Sequence, residues 1–225
     1  MKKLIALILA VLMVVSFAAC GQNNKPTDPN DPEQNNSQTN DDNHQPVIPT
    51  PEEIEEKIKK ALGDDYFCDV DKEKDFLTGY WGLDLSQIES YVAKENAIAS
   101  VNPDQIIILK VKDGYADKAV EALNAGFAQN VSYIRQYPFG TEKVLNGRIF
   151  KNGNYVALII AGQTAEEGTT AEQEAKMAEE DYEKIDGVWE ELFGEAKNLA
   201  VVPEDDGSNG ALLPDDGNAP LVGGN

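Results

Sequence analysis

The chain has 225 residues, with 40 acidic and 19 basic side chains that give a formal net charge of −21. This excess of negative charge repels phosphate backbones and disfavours nucleic acid as a partner. It also opposes adsorption to anionic lipid, so contact with a membrane would need a covalent anchor. With two cysteines in the chain, we expect no disulfide framework.

The first twenty residues have the layout of an exported, lipid-modified precursor. Two lysines follow Met1, an apolar run occupies 4–17, and small residues precede Cys20. Residues 16–21 resemble a lipobox, in which a cysteine thiol receives diacylglycerol. We therefore expect a signal peptide at 1–19, a lipid on Cys20, and attachment to the extracytoplasmic face of the cell membrane. Cleavage by ordinary signal peptidase is the main alternative, since lipoboxes usually have Leu where Phe17 stands, and an uncleaved anchor is another.

Two polar segments flank a single predicted domain at 51–200. Residues 20–50, which include the lipidated cysteine, are rich in Asn, Gln, Asp and Pro, and such a composition buries too little apolar surface to offset ordering entropy. We predict a disordered tether there and a disordered acidic Gly/Pro tail at 201–225. The domain between them is long enough to fold without disulfides or metals.

The domain begins with a well-marked helix. Thr50 can cap it, Pro51 suits its first turn, Glu53 completes a capping box, and Gly63 closes it. A less regular region follows, with a short strand at 66–70, a helical turn at 83–90 and a half-buried strand at 91–100.

A turn at 102–104 leads to a strand at 105–111, which we expect to pair with 91–100 as a hairpin. A long helix follows at 115–136, because apolar residues recur there at helical spacing, and Pro138 ends it.

A second hairpin is predicted at 148–161, around the Asn152-Gly153 dipeptide that favours a type I′ turn. A last helix runs from a capping box at Thr170 to Gly194. Helices and hairpins in this order predict an α+β fold: a two-layer domain with a mostly antiparallel sheet of two hairpins and the helices packed on one face.

Three of these segments also carry a family resemblance. They are the strand at 105–111, the long helix reaching Tyr137-Pro138, and the segment 152–160 with the sequence NGNYVALII, joined in this order behind a lipobox. Residues 52–195 thereby resemble DUF4358, a family of domains of unknown function in lipoproteins of clostridia and related Firmicutes. The resemblance implies a surface lipoprotein of a Gram-positive cell envelope, and it supplies no catalytic residues.

The predicted domain contains one cysteine and no histidine, so few side chains are available for nucleophilic catalysis or metal binding. His44, the only histidine, lies in the predicted tether, so the domain has no imidazole for a nucleophilic triad or a metal site. Cys68 has no sequence neighbour that would ionise it, and we expect a buried, inert thiol. We therefore predict no catalytic residue and no cofactor.

Carboxylates are the remaining candidates for chemistry. Four of them occupy alternate positions, which faintly resembles the start of a calcium-binding loop. However, Lys74 and Tyr80 stand where such a loop needs Gly and Glu. We therefore prefer a solvated loop. These four are Asp69, Asp71, Glu73 and Asp75. Seven glutamates on or before the last helix predict a solvated acidic face rather than a cation site; they are Glu166, Glu167, Glu172, Glu174, Glu179, Glu180 and Glu183.

Five aromatic residues could stack on a sugar or a partner, but we expect them in the core. They are Tyr80, Trp81, Tyr133, Tyr137 and Phe139. The resulting hypothesis is a non-enzymatic, membrane-anchored lipoprotein whose domain binds or assists an envelope protein or glycan. The alternative is a carboxylate-dependent envelope glycan hydrolase; a solute receptor ranks last, because the domain is too short for two closing lobes.

Overall fold

One antiparallel sheet organises the domain in the computed structural model, which describes residues 49–99, 102–137 and 140–205. Its strand order is β1-β2-β3-β5-β4, and every neighbouring pair is antiparallel. The strands are β1 (Val70–Asp71), β2 (Ile88–Glu95), β3 (Gln105–Val111), β4 (Arg148–Asn152) and β5 (Tyr155–Ile160). The predicted α+β class and the mostly antiparallel sheet are confirmed.

Several predictions fall outside the described residues. These are the signal peptide at 1–19, the lipidation site Cys20, the tether as far as residue 48 with its His44, the pair Pro138-Phe139, and the tail from residue 206 onwards.

Within the described residues, four α-helices accompany the sheet: α1 (Pro51–Leu62), α2 (Ala116–Ile134), α3 (Thr141–Leu145) and α4 (Ala171–Phe193). Three shorter helical turns lie at Gly63–Asp65, Phe76–Tyr80 and Leu85–Gln87. Both predicted capping boxes are present. Thr50 accepts a hydrogen bond from Glu53 N–H (3.2 Å), and Thr170 accepts one from Gln173 N–H (3.3 Å). These caps satisfy backbone donors that the first helical turn leaves free, which explains why both starts were predictable. Within the described ranges, no helix combines the length and apolarity needed to cross a bilayer.

Both predicted hairpins form, but the end of β2 and the position of the second turn differ from the prediction. β2 ends at Glu95 rather than near residue 100, and its register places Val92 opposite Ile108. In the second hairpin Asn152 pairs with Tyr155, so the two-residue turn is Gly153-Asn154 rather than Asn152-Gly153. Gly153 has a φ of 54°, the conformation for which glycine is suited.

The helices lie on both faces of the sheet, whereas the prediction placed them on one face. In β3, Ile107 and Leu109 point into a core formed with α2, whereas Ile106 and Ile108 point into a second core formed with α1 and α4. The domain therefore has three layers instead of two. The physical reason is that the central strands β3 and β5 are apolar at almost every position, so both of their faces have to be covered.

After α4 the chain continues as an extended segment that we call the C-terminal strap, residues 198–204. Leu199 donates its N–H to Ile149 O (2.7 Å) at the edge of β4. Further along, Arg135 Nη2 at the end of α2 donates to Pro203 O (2.9 Å). The packed chain thus extends a few residues past residue 200, where the predicted domain ended.

Candidate functional site

The most deeply buried charged residue of the domain, Asp104, forms an ion pair with a buried lysine at one end of the sheet. Asp104, just before β3, is fully buried, and Lys143 of α3 is 6% exposed. Lys143 Nζ contacts Asp104 Oδ1 and donates to Asn102 Oδ1 (3.0 Å), Gly162 O (3.1 Å) and Thr164 Oγ1 (3.3 Å). A buried ammonium needs such a shell of acceptors, so the cluster ties α3 to the segments that flank β3 and β5.

Burial controls the protonation of this cluster. It raises the pKa of Asp104 from 3.8 to about 6, because desolvation of the carboxylate outweighs the attraction of Lys143. Burial also raises the pKa of the Cys68 thiol, and the negative charge of Asp104 adds to that rise. A buried, protonated thiol is a poor nucleophile, which agrees with the inert role expected for Cys68.

A small cleft lies beside the ion pair, with an interior volume of about 10 Å³, room for one water molecule. Two carboxylates of α4 line it. Glu174 Oε1 accepts the N–H of Gly140 (3.0 Å). Asp181 Oδ2 accepts the N–H of Gln163 (2.7 Å), and its Oδ1 pairs with Lys184 (2.7 Å). Both carboxylates therefore hold neighbouring backbone in place.

The four carboxylates weighed as calcium ligands are engaged elsewhere or dispersed. Asp69 Oδ1 accepts the N–H of Ala97 (2.9 Å), and Asp71 Oδ1 lies 3.9 Å from Lys94 Nζ. Glu73 and Asp75, the other two, are solvent-exposed. Across the described ranges, no three Asp, Glu, His or Cys side chains come together in a way that could hold a metal ion.

The acidic face of α4 and the loop before it is solvated, with one exception. Glu166, Glu167, Glu172, Glu179, Glu180 and Glu183 are exposed, whereas Glu174 is buried in the cleft. The exposed members contribute to the negative charge of the surface and form no defined site.

Three exposed tyrosines and the half-buried Phe76 form a surface that we call the tyrosine surface: Phe76, Tyr80, Tyr133 and Tyr137. Tyr80 stacks on Phe76 with ring centroids 5.7 Å apart, and its hydroxyl donates to Asn130 Oδ1 (2.9 Å). The hydroxyls of Tyr133 and Tyr137 lie 2.6 Å apart. Asn130 and Tyr133 are one turn apart on α2, so the two ring pairs belong to one continuous surface.

The prediction that the aromatics lie in the core is wrong for three of them. Tyr80, Tyr133 and Tyr137 are 45%, 46% and 40% exposed, while Trp81 is 2% exposed. Trp81 packs against Gly126 of α2, where a Cβ atom would lie 2.3 Å from its ring. Adjacent residues of a helical turn point in different directions, so the burial of Trp81 leaves Tyr80 outside.

The fold defines the class of protein: an α+β domain with a five-stranded antiparallel sheet enclosed between helical layers. Within it, residues 61–161 match the model of a family described as a domain of unknown function (DUF4358). The chain thus contains a DUF4358 domain, as the sequence resemblance implied. No curated protein and no solved structure matches the chain. The matched region contains the pair Asp104 and Lys143 and ends before α4.

Sequence reasoning missed the Asp104–Lys143 pair and the tyrosine surface. Asp104 was assigned to a turn, and Lys143 lies in a segment for which no element was predicted. The sequence held one weak indication of the pair. Asp104 stands directly before a continuous apolar strand, and a carboxylate in such a place has to be either solvated or paired.

Proposed function

We propose that this protein is a lipid-anchored binding module on the extracytoplasmic face of the cell membrane. In this proposal the tyrosine surface contacts an envelope partner, either a protein or a glycan. The observation that supports the binding role is the exposure of three tyrosine side chains in one continuous patch on a folded, helix-backed surface.

Tyrosine rings suit such contacts for physical reasons. They supply large contact area with few rotatable bonds, and their hydroxyls keep the surface soluble when no partner is bound. Tyr80 is already fixed by its stacking on Phe76 and its hydrogen bond to Asn130. Less conformational entropy is therefore lost on binding than with freely rotating side chains.

The glycan hydrolase alternative receives less support from the geometry. Such an enzyme needs two carboxyl groups on either side of a sugar. The cleft that holds Glu174 and Asp181 has room for one water molecule, and both side chains already accept hydrogen bonds from the backbone. A binding role needs no such cleft.

Anchoring is tested by feeding growing cells a clickable fatty acid. The wild-type chain should be labelled and should stay with the membrane fraction, whereas Cys20→Ala should be unlabelled and appear in the medium. Equal behaviour of the two chains would contradict the anchor.

Binding is tested by placing a photo-crosslinking amino acid at Tyr133 and, as a matched control, at the exposed Ala171 at the start of α4. Illumination of intact cells should give one reproducible adduct from position 133 and none from position 171. Digestion of the adduct with protease or with a glycan hydrolase then identifies the class of partner. Identical patterns from both positions would refute the role of the tyrosine surface.

A further inference from the structure

The C-terminal strap lies in a groove between the edge of β4 and α2. On the β4 side, Asn198 accepts the N–H of Ile149 through Oδ1 (3.0 Å) and donates from Nδ2 to Gly147 O (3.1 Å). Leu199 then donates its N–H to Ile149 O (2.7 Å). The edge strand thus gains one main-chain hydrogen bond from Leu199 and two from the Asn198 side chain, whose Oδ1 also accepts the N–H of Ala200 (2.9 Å).

On the α2 side, the side chains of Asn124 and Arg135 bind the backbone of the strap. Asn124 donates from Nδ2 to Leu199 O (3.2 Å) and accepts the N–H of Val201 through Oδ1 (2.8 Å). Arg135 donates to Pro203 O (2.9 Å) at the far end. All three hydrogen bonds involve main-chain atoms of the strap. Helix α2 therefore recognises an extended backbone, with little demand on the side chains after the first positions.

The spacing of these contacts fits an extended peptide. Asn124 and Arg135 are eleven positions apart and lie on the same face of the helix, about 16 Å from each other. The strap from Leu199 to Pro203 spans about 13 Å when extended, and the long side chain of Arg135 covers the remaining distance to Pro203 O. Tyr133, nine positions from Asn124, faces the opposite side of α2, so the groove and the tyrosine surface are separate.

Little apolar burial holds the strap in place. Leu199 and Ala200 pack partly against the core around α2, while Val201 and Val202 are 65% and 40% exposed. Segments that are held mainly by hydrogen bonds at the surface open at lower free energy than the core.

We propose that this groove is a peptide-binding site that the strap of the same chain occupies in cis. An extended segment of a partner protein, with an asparagine followed by two apolar residues, binds there when the strap leaves. Main-chain hydrogen bonds to Asn124, Arg135 and Ile149 provide the affinity, and the Asn and apolar positions provide the specificity, as in the addition of a strand to a sheet edge. The inference goes beyond the proposed function, since neither the lipid anchor nor the tyrosine surface enters it.

The test uses the full chain and a fluorescein-labelled peptide with the sequence of residues 196–205, AKNLAVVPED. Leu199→Asp in the chain weakens the strap and leaves the groove intact. By fluorescence anisotropy this variant should bind the peptide at least about tenfold more tightly than the wild type, because the open fraction of the groove sets the apparent affinity. Adding Asn124→Ala should remove the gain, and so should a peptide with Asp at the Leu position.

Three results would overturn the proposal. They are no binding of the peptide to the Leu199→Asp chain, unchanged binding after Asn124→Ala is added, and loss of the far-UV circular dichroism of the folded domain in the Leu199→Asp chain. Loss of the circular dichroism signal would overturn the proposal because a strap that the fold requires cannot be replaced by a partner peptide.

Hydrogen exchange of the wild-type chain gives an independent measurement. The amides of Leu199 and Val201 should exchange at least about 100-fold faster than that of Ala157 in β5. Equal rates would mean that the strap opens only when the whole domain unfolds, which also overturns the proposal.

Discussion

Replacing Lys143 with methionine should destabilise the domain mainly through the carboxylate that it leaves behind. Methionine retains most of the side-chain length without the charge, so the fully buried Asp104 loses its counter-ion. Asn102 and Gly162 each lose a hydrogen bond as well. Breaking one side of a buried ion pair typically costs about 3–5 kcal/mol, and we expect the free energy of unfolding to fall by about that amount at pH 8.

The stability lost through Lys143→Met should be smaller at lower pH. Burial already raises the pKa of Asp104 to about 6, and the variant lacks the largest influence that lowers it, so the pKa rises further. A carboxyl group with a raised pKa in the folded state contributes stability that is fully present below its unfolded pKa and is lost as the pH rises through the folded pKa. For each unit by which the pKa rises, the cost at pH 5 should be about 1.4 kcal/mol smaller than at pH 8.

Urea unfolding followed by circular dichroism at pH 5 and pH 8 measures both effects. The control is the double variant Lys143→Met with Asp104→Asn, which shares every other carboxyl group with the single variant. The double variant should be the more stable of the two at pH 8, and the difference should narrow at pH 5. A loss below about 1 kcal/mol in the single variant at pH 8, or a difference that does not change with pH, would refute the assignment of a buried charge to Asp104.

Other substitutions test the packing and the helix caps. Gly126→Ala should destabilise the domain by about 1–3 kcal/mol, because its Cβ would lie 2.3 Å from the ring of Trp81. Gly187→Ala in α4, where the space is open, should stabilise it by about 0.5–1 kcal/mol in the same urea assay; equal effects of the two would contradict the close contact. Thr50→Ala should cost about 1 kcal/mol by thermal unfolding, with Thr50→Ser as the nearly neutral control. In a Cys20→Ala chain, the thiol of Cys68 should react with Ellman's reagent at pH 8 only after urea unfolding, because burial excludes the reagent and raises the thiol pKa; rapid reaction of this folded chain would contradict the burial of Cys68.

The helices and hairpins were predictable because their signals are local. A capping box such as that of Thr50 and Glu53 lies within four residues, and the turn at Gly153 joins strands that are adjacent in the chain. The pairing of β3 with β5 is different, since it joins segments separated by α2, α3 and β4. No local pattern encodes that neighbour relation.

The layer arrangement and the buried ion pair were missed for related reasons. The continuous apolar runs of β3 and β5 already indicated strands covered on both faces, but the helices were assigned to one face from element order alone. Asp104 and Lys143 belong to different elements, and each alone looks like an ordinary surface charge. Tertiary packing removes both from solvent and so creates the raised pKa of Asp104.

The three-layer arrangement affects the risk of aggregation during synthesis, because the N-terminal part of the chain leaves the ribosome first. One side of the central strands is completed by Tyr182, Ile185 and Trp189 of α4, which come late in the sequence. Until they emerge, this face of the sheet is covered only by α1, and its remaining apolar surface can associate with other chains. The hazard is concentrated at Tyr155–Ile160, six consecutive uncharged residues that are all buried in the finished domain.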